Sequence, residues 1–299
     1  MTDGNAFSVI SLKMQGCDAD YKDALVVLFG APFDGTVSFR PGSRFGPQAM
    51  RQDSIGLETY SPYQNTDLSS SLTSDIGDLD LPMGDPEGSL AIIKNTTDKI
   101  AAAGKIPLML GGEHLVTLPV FESLLEKYPD LCLIHLDAHA DLREDYLGVE
   151  LSHATVVRRI WDLVGDGRIF QMGIRSGTVD EFAFARNGHT SFYPLSFDNS
   201  DQIAAEIGNR PVYLTIDLDV YDPAVFPGTG TPEPGGILFP DMIRTLNDFS
   251  GLHIVGADLV ELAPHYDASA VSTALALKTM RELLVLIQNQ YSGRQKPTI

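Results

Sequence analysis

The chain has 299 residues, enough for one large α/β domain or two smaller ones, and its 43% hydrophobic and 20% charged residues are an ordinary globular mixture with ample material for a core. Its 40 acids against 21 bases leave a net charge of −19, which excludes nucleic acid and anionic membrane as partners and suits a cationic substrate. Two cysteines, Cys17 and Cys132, are too few for a disulfide framework, and Cys132 sits in an apolar run that predicts a buried, reduced thiol.

The N-terminal stretch MTDGNAFSVISLKMQG has no basic start leading into an apolar core and is not arginine-rich, so no secretory or mitochondrial address is read there. No window approaches the roughly 20 apolar residues of a membrane span. A reducing cytoplasm is the expected location. ALVVLFGAPF (24–33) predicts a first strand, and the Pro/Gly-rich FRPGSRFGP (39–47) a loop. GSLAIIKNTTDKIAAAG (88–104) has helical spacing and precedes the strand candidate IPLMLGGEH (106–114). LPVFESLLEKYP (118–129) predicts a helix, LCLIHLDAH (131–139) a strand, and HATVVRRIWDLVG (153–165) a helix. IFQMGIR (169–175), TSFYPL (190–195) and VYLTIDLDV (212–220) are strand candidates, the last followed by the loop FPGTGTPEPGG (226–236). FPDMIRTLNDFS (239–250) reads as a helix, IVGADLVEL (254–262) as a strand, and SAVSTALALKTMRELLVLIQNQ (269–290) as a long closing helix. This β-then-α rhythm predicts an α/β fold with one mostly parallel sheet and helices on both faces. No repeat or linker interrupts it, so residues 1–299 are read as a single domain.

In such sheets ligands bind beyond the carboxyl ends of the strands. Four strand candidates end there in polar clusters: His114 after the first GG, Asp137, His139 and Asp141 in HLDAHAD, Asp217 and Asp219 in TIDLDV, and Asp258 with Glu261 in ADLVE. Side chains two apart on an extended chain share a face, so Asp137, His139 and Asp141 are expected to converge, as are Asp217 and Asp219. Four carboxylates so gathered repel one another unless cations lie between them. With His114 the set is too large for one tetrahedral zinc and suits two metals sharing carboxylates. Oxygen-rich donors with some imidazole and no thiolate favour Mn²⁺, with weaker cases for Mg²⁺, Zn²⁺ or Co²⁺. Each element alone reads more simply as a solvated turn or a helix cap; it is the recurrence at several strand ends that points to metal.

These residues carry a resemblance. GGEH, HLDAHAD, TIDLDVYDPAVFPGTGTPEPGG and GADLVELAP follow one another as in the ureohydrolase family of arginases and agmatinases, and GAPFDGTVSFRPGSRFGPQAMR resembles that family's N-terminal segment. The similarity runs from about Val26 to the last helix. It implies a three-layer α/β/α fold, two Mn²⁺ per chain, hydrolysis of a guanidinium group to urea, and a homotrimer or homohexamer. Residue by residue, it implies Asp137 and Asp217 as bridging ligands, His114 and Asp141 completing one metal's shell, and His139 and Asp219 the other's. Asp141 is counted with the catalytic residues as well. Two divalent cations would neutralise the four carboxylates and let water lose a proton near neutral pH. Glu261 stands where the family binds the guanidinium, which a carboxylate accepts through two parallel N–H bonds. His153 stands where the family carries a proton-shuttling histidine. Asp258 is read as a hydrogen-bond acceptor behind the site and His135 as a core or supporting residue; His189 and His253 have structural readings. His265, Arg40 and Arg44 are candidates for the mouth of the pocket, with a loop role favoured for the arginines.

The substrate reading rests on LREDYLGVELSH (142–153). The arginase pattern supplies Asn and Ser donors there for an α-carboxylate, whereas this stretch has no Asn and only Tyr146 and Ser152 as hydroxyls. Its Glu144, Asp145 and Glu150 are expected to repel a carboxylate and favour a distal ammonium. It resembles the loop of bacterial agmatinases, which implies hydrolysis of agmatine to putrescine and urea in polyamine biosynthesis. The alternatives are a guanidinobutyrase, guanidinopropionase or arginase. From other classes come a dinuclear phosphoesterase, which should bring basic residues to the site, and a non-catalytic binding homologue, which would tolerate loss of a ligand.

Overall fold

The computed structural model describes residues 12–292. The expectation of no secretory or mitochondrial address in the N-terminal stretch falls mainly on residues before 12, outside the described residues. Eight strands form one sheet in the order β4-β1-β5-β10-β9-β6-β7-β8: β1 (Val26–Ala31), β4 (Thr73–Asp78), β5 (Ile106–Gly111), β6 (Cys132–Leu136), β7 (Ile169–Met172), β8 (Ser191–Tyr193), β9 (Pro211–Asp217) and β10 (His253–Val260). Every pairing within it is parallel, so the expected mostly parallel sheet is wholly so. A separate antiparallel pair, β2 (Tyr60–Ser61) and β3 (Thr66–Asp67), lies between β1 and β4 in the chain.

The inner strands are apolar and buried along their whole length because helices cover both faces. One face carries α1 (Gly46–Asp53), α6 (Ser200–Ile207), α7 (Phe239–Asp248) and α8 (Val271–Ser292). The other carries α2 (Pro86–Ala102), α3 (Thr117–Lys127) and α4 (Val156–Val164), with the short α5 (Val179–Phe184) joining that layer. Strand alternation divides the core between them. Val26 and Leu28 belong to the same core cluster as Leu246 and Leu283, whereas Val27 and Phe29 belong to the one with Ile93, Val120 and Ile160. The result is a three-layer α/β/α arrangement. Cys17 and Cys132 are buried and unpaired. Among the described residues no helix is long and apolar enough to cross a membrane.

β5, β10, β9 and β6 are contiguous in the middle of the sheet, and these are the strands whose carboxyl ends carry the polar clusters. Their exits are tied together by backbone. The Gly112 N–H donates to Ala31 O at 2.9 Å and the Glu113 N–H to Phe33 O at 2.7 Å, docking the segment after β1 against the end of β5. Gly112 O in turn accepts the Glu261 N–H at 2.8 Å, fixing the exit of β10. A Cβ at Gly112 would lie 1.9 Å from Phe33 O, so the close approach demands glycine there.

Candidate functional site

The two D-x-(H/D) motifs fold alike. β6 ends at Leu136 and β9 at Asp217, so only the first Asp of each motif sits at a strand terminus. Asp137 Oδ1 accepts the His139 N–H at 2.6 Å and Asp217 Oδ1 accepts the Asp219 N–H at 2.8 Å. Each is an Asx turn that reverses the chain and brings the second residue back over the strand end. Convergence therefore comes from turns and not, as the spacing suggested, from a continued extended strand. Asp141 departs further, with φ of 53°, in the left-handed region rarely used by residues other than glycine.

The gathered side chains form a buried cluster. His114 Nδ1 lies 3.1 Å from Asp137 Oδ2, 3.2 Å from Asp141 Oδ2 and 3.2 Å from Asp217 Oδ2. His139 Nδ1 lies 2.9 Å from Asp219 Oδ2 and 3.5 Å from Asp137 Oδ1. Asp137 thus reaches both imidazoles, one with each oxygen. Among the described residues, two sets of potential metal donors overlap at Asp137: His114, His135, Asp137 and Asp141; and Asp137, His139 and Asp219.

Hydrogen bonds behind the cluster fix the ring tautomers. Thr215 Oγ1 donates to Asp258 Oδ1 at 2.6 Å, so at 3.0 Å from His114 Nε2 it accepts that nitrogen's proton. Asp258 Oδ2 is held by Thr117 Oγ1 at 2.7 Å and Tyr213 OH at 2.5 Å, the supporting acceptor role anticipated for it. His114 Nδ1 is buried among three carboxylate oxygens yet has no hydrogen-bond partner in line. His135 differs. Gln171 Oε1 accepts from Thr190 Oγ1, so Gln171 Nε2 donates to His135 Nδ1 at 3.1 Å. His135 Nε2–H then donates to Asp137 Oδ2 at 2.8 Å. His135 therefore steadies the carboxylate and has no lone pair to offer a metal.

The electrostatics ask for positive charge. Burial raises the Asp217 carboxyl well above its ordinary range, and neighbouring Asp219 and Asp137 add to it. Burial also raises Asp219, with His139 opposing. Asp137 goes the other way: burial disfavours its charge, but His135 and His114 outweigh this and hold it well down. Burial likewise works against the charge of His114 and His139, yet the surrounding carboxylates raise both well above the imidazole range. Protons and other cations would compete for this cluster. A bare Nδ1 facing carboxylate oxygens, with no thiolate present, fits hard or borderline divalent ions.

A pocket of about 240 Å³ opens over this cluster, lined by His114, His139, Asp141 and Asp217 together with His153 and Glu261. Glu261 Oε1 accepts the His114 N–H at 2.8 Å. Its φ of 65° turns the side chain back from the end of β10. Burial raises its carboxyl, and Glu113 and Asp219 raise it further, so a bound cation would be stabilised beside it. His153 begins the turn before α4, its ring edge-on to Tyr146 at 5.5 Å. Burial lowers its pKa, against an opposing pull from Asp141.

The mouth differs from the sequence reading. Glu144, Asp145 and Glu150 are not among the lining residues. Asp145 accepts the Gly148 N–H within its own turn and Glu150 reaches Arg159 at 3.8 Å, so these two acids are engaged locally. Arg143, Tyr146, Ser38 and Glu181 line the pocket instead. Arg40 lies over the Tyr266 ring, Arg44 pairs with Asp34, and His265 packs against Gly42 and Tyr266. None of the three lines the pocket, because each is committed to holding the loop after β1. Thr36, Glu113, Thr215 and Gln171 were not singled out in the sequence: Thr36, Glu113 and Thr215 lie inside the motifs and Gln171 inside a strand run, but their types are common in loops and strands.

Comparison with known proteins agrees with this geometry. A model of the arginase family matches residues 24–286. An agmatinase from Bacillus anthracis is 46% identical over 268 residues, 89% of this chain and 92% of that one. A guanidinobutyrase from Pseudomonas aeruginosa is 34% identical over 282 residues, 89% and 87% of the two chains. The crystal structure of an agmatine ureohydrolase of Thermoplasma volcanium, 35% identical, superposes with a TM-score of 0.87 over 97% of this chain and 98% of that one.

Proposed function

The chain belongs to the arginase family of ureohydrolases, and from that premise we propose that it hydrolyses the guanidinium group of agmatine, giving putrescine and urea. The observation that carries the chemistry is His114 Nδ1, bare and buried among three carboxylates on the floor of a pocket that also holds Glu261 and His153. The choice of agmatine rests on the 46% identity to agmatinases, since the loop acids once expected to select an ammonium do not line the pocket.

In this reading Asp137 and Asp217 would serve both of two metal ions, His114 and Asp141 would help hold one, and His139 and Asp219 the other. Mn²⁺ bound there would supply Lewis acidity that makes hydroxide available from water near neutral pH. Glu261 binds and orients the cationic guanidinium, its carboxylate held by the His114 N–H. The buried acids around the pocket stabilise that cation on entry. His153, kept neutral by burial at the pocket wall, takes up a proton and gives it to the departing amine nitrogen. His135 and Asp258 hold Asp137 and His114 in place. The proposal includes a cytoplasmic homotrimer or homohexamer.

One observation favours a second reading, a guanidino-acid hydrolase: Arg143 lines the pocket, its guanidinium over the ring of Tyr146, another lining residue, and its charge would attract a distal carboxylate. Glu181 Oε2, 3.6 Å from Arg143 Nε, offsets it. A urea-release assay with added Mn²⁺ over agmatine, arginine and guanidinobutyrate decides. Agmatine should give the highest kcat/KM. A higher value for guanidinobutyrate or arginine would overturn the substrate, and phosphate-ester cleavage without urea release would overturn the chemistry.

A further inference from the structure

We propose that Thr36, oriented by Glu113, is a positioning residue that fixes the side chain of His153 so that its Nε2 is the nitrogen presented for proton transfer. This rests on His153 as the proton carrier and extends it to two residues remote in sequence. Glu113 is fully buried and receives two donors from one residue: the Thr36 N–H at 2.8 Å on Oε2 and the Thr36 hydroxyl on Oε1. Because that hydroxyl proton is committed to Glu113, Thr36 Oγ1 faces His153 with lone pairs only. It accepts the His153 N–H at 3.1 Å and lies 3.5 Å from Nδ1, a long contact of the kind that tightens when substrate binds. Nδ1–H directed at Thr36 leaves Nε2 as the atom that gains and loses a proton. The edge of the ring against Tyr146 limits its rotation.

The fold explains how three segments meet here. The backbone bonds of Gly112 and Glu113 to Ala31 and Phe33 dock the loop after β1 onto the end of β5, which carries Thr36 over Glu113. His153 arrives from the other side, heading α4. A buried carboxylate with no metal or substrate to touch is otherwise costly, and its donors are those that aim Thr36.

The test is a double-mutant cycle read with agmatine, with metal content measured throughout. Thr36→Val keeps shape and removes the hydroxyl; Thr36→Ser restores it. Misplacement of a catalytic group costs up to about 100-fold, so Thr36→Val should lower kcat by about 10- to 100-fold with KM and metal content unchanged. Thr36→Ser should stay within a few fold of the parent. In a His153→Ala background Thr36→Val should cause no further loss, since residues acting as a unit are not additive. If Thr36→Val fails to fold, Glu113→Gln serves: its amide would donate to Thr36 Oγ1, turn the hydroxyl proton onto His153 Nδ1, and lower kcat in the same way. Parent-like kcat in Thr36→Val, a Thr36→Ser as slow as Thr36→Val, or an equal loss in the His153→Ala background would overturn the positioning role. Unchanged turnover in His153→Ala alone would instead remove the proton carrier on which the inference rests.

Discussion

Thr215→Val is the sharpest probe of the metal cluster, because it removes one oxygen and almost no volume. Thr215 Oγ1 sits between His114 Nε2 at 3.0 Å and Asp258 Oδ1 at 2.6 Å, all three buried. With valine the His114 Nε2–H loses its acceptor and Asp258 Oδ1 loses its donor, while Asp258 Oδ2 keeps Thr117 and Tyr213. Each buried polar group left unsatisfied costs about 1–3 kcal/mol, so the metal-free chain should lose roughly 2–6 kcal/mol of stability. The ring also loses the acceptor that holds its Nε2–H and so keeps Nδ1 aimed at Asp137, Asp141 and Asp217, where a cation would bind. Disturbing a partner that orients a ligand typically costs about 10–100-fold in metal affinity. Mn²⁺ titration of the stripped protein, alongside melting curves, measures both effects, with Thr215→Ser as the control that keeps the hydroxyl. A Thr215→Val variant that binds Mn²⁺ as tightly as Thr215→Ser would refute both the tautomer and the role assigned to His114.

The remaining predictions follow from the same cluster and its supports. Asp137→Ala should lose both metals, since its two oxygens reach His114 and His139, whereas Asp219→Ala should retain one more often; elemental analysis giving equal occupancy would count against a shared Asp137. Gly112→Ala should destabilise the chain by about 3 kcal/mol or more, because its Cβ meets a locked backbone carbonyl at 1.9 Å, while Gly56→Ala, with open space around it, should change Tm little. For Asp267, burial opposes ionisation, but hydrogen bonds from Ser269 and Ser272 outweigh it and bring the carboxyl down to about 2. A depressed folded-state pKa adds stability above the ordinary carboxylate range and loses it as pH falls toward about 2, so the Tm gap between the parent and Asp267→Asn should be full at neutral pH and close through that acid window.

Most of the sheet was legible because its strands are short apolar runs between helical patterns, and seven of its eight strands match those runs. The strand not anticipated is β4: TSDIGD at the sheet edge has little apolar content to mark it. The helices α5 and α6 are too short to show a period, and the first two residues of α1, Gly46-Pro47, fell in the predicted loop, although proline suits a first helical turn. The site divides in the same way. Carboxylates and imidazoles at strand ends announce themselves by type, and all six proposed ligands come together within the cluster. Thr215 reads as an ordinary strand former, Gln171 as a strand residue and Thr36 as a loop residue, because a hydroxyl or amide that orients a neighbour carries no signature until the neighbour is seen. The loop acids misled because charge in a sequence says nothing of direction: the Asp145 turn and the Arg159 pair engage Asp145 and Glu150 locally.

Two residues in left-handed backbone, Asp141 and Glu261, frame the pocket, and such conformations cost about 1–3 kcal/mol each. They persist because their surroundings over-determine them. The Glu261 N–H is held by Gly112 O at 2.8 Å and its Oε1 by the His114 N–H at 2.8 Å, while Asp141 O accepts the Arg158 N–H of α4 at 3.0 Å. The residue that fixes Glu261, Gly112, also docks the loop bearing Thr36, so the guanidinium-binding side and the proton-transfer side of the proposed chemistry share one backbone junction. A small shift at that junction would move Glu261 and Thr36 together while leaving the metal-facing oxygens of Asp137 and Asp219, anchored on β6 and β9, where they are. Precision at the substrate thus depends on the close packing of the β1, β5 and β10 exits, and precision at the metals on the Asx turns of β6 and β9.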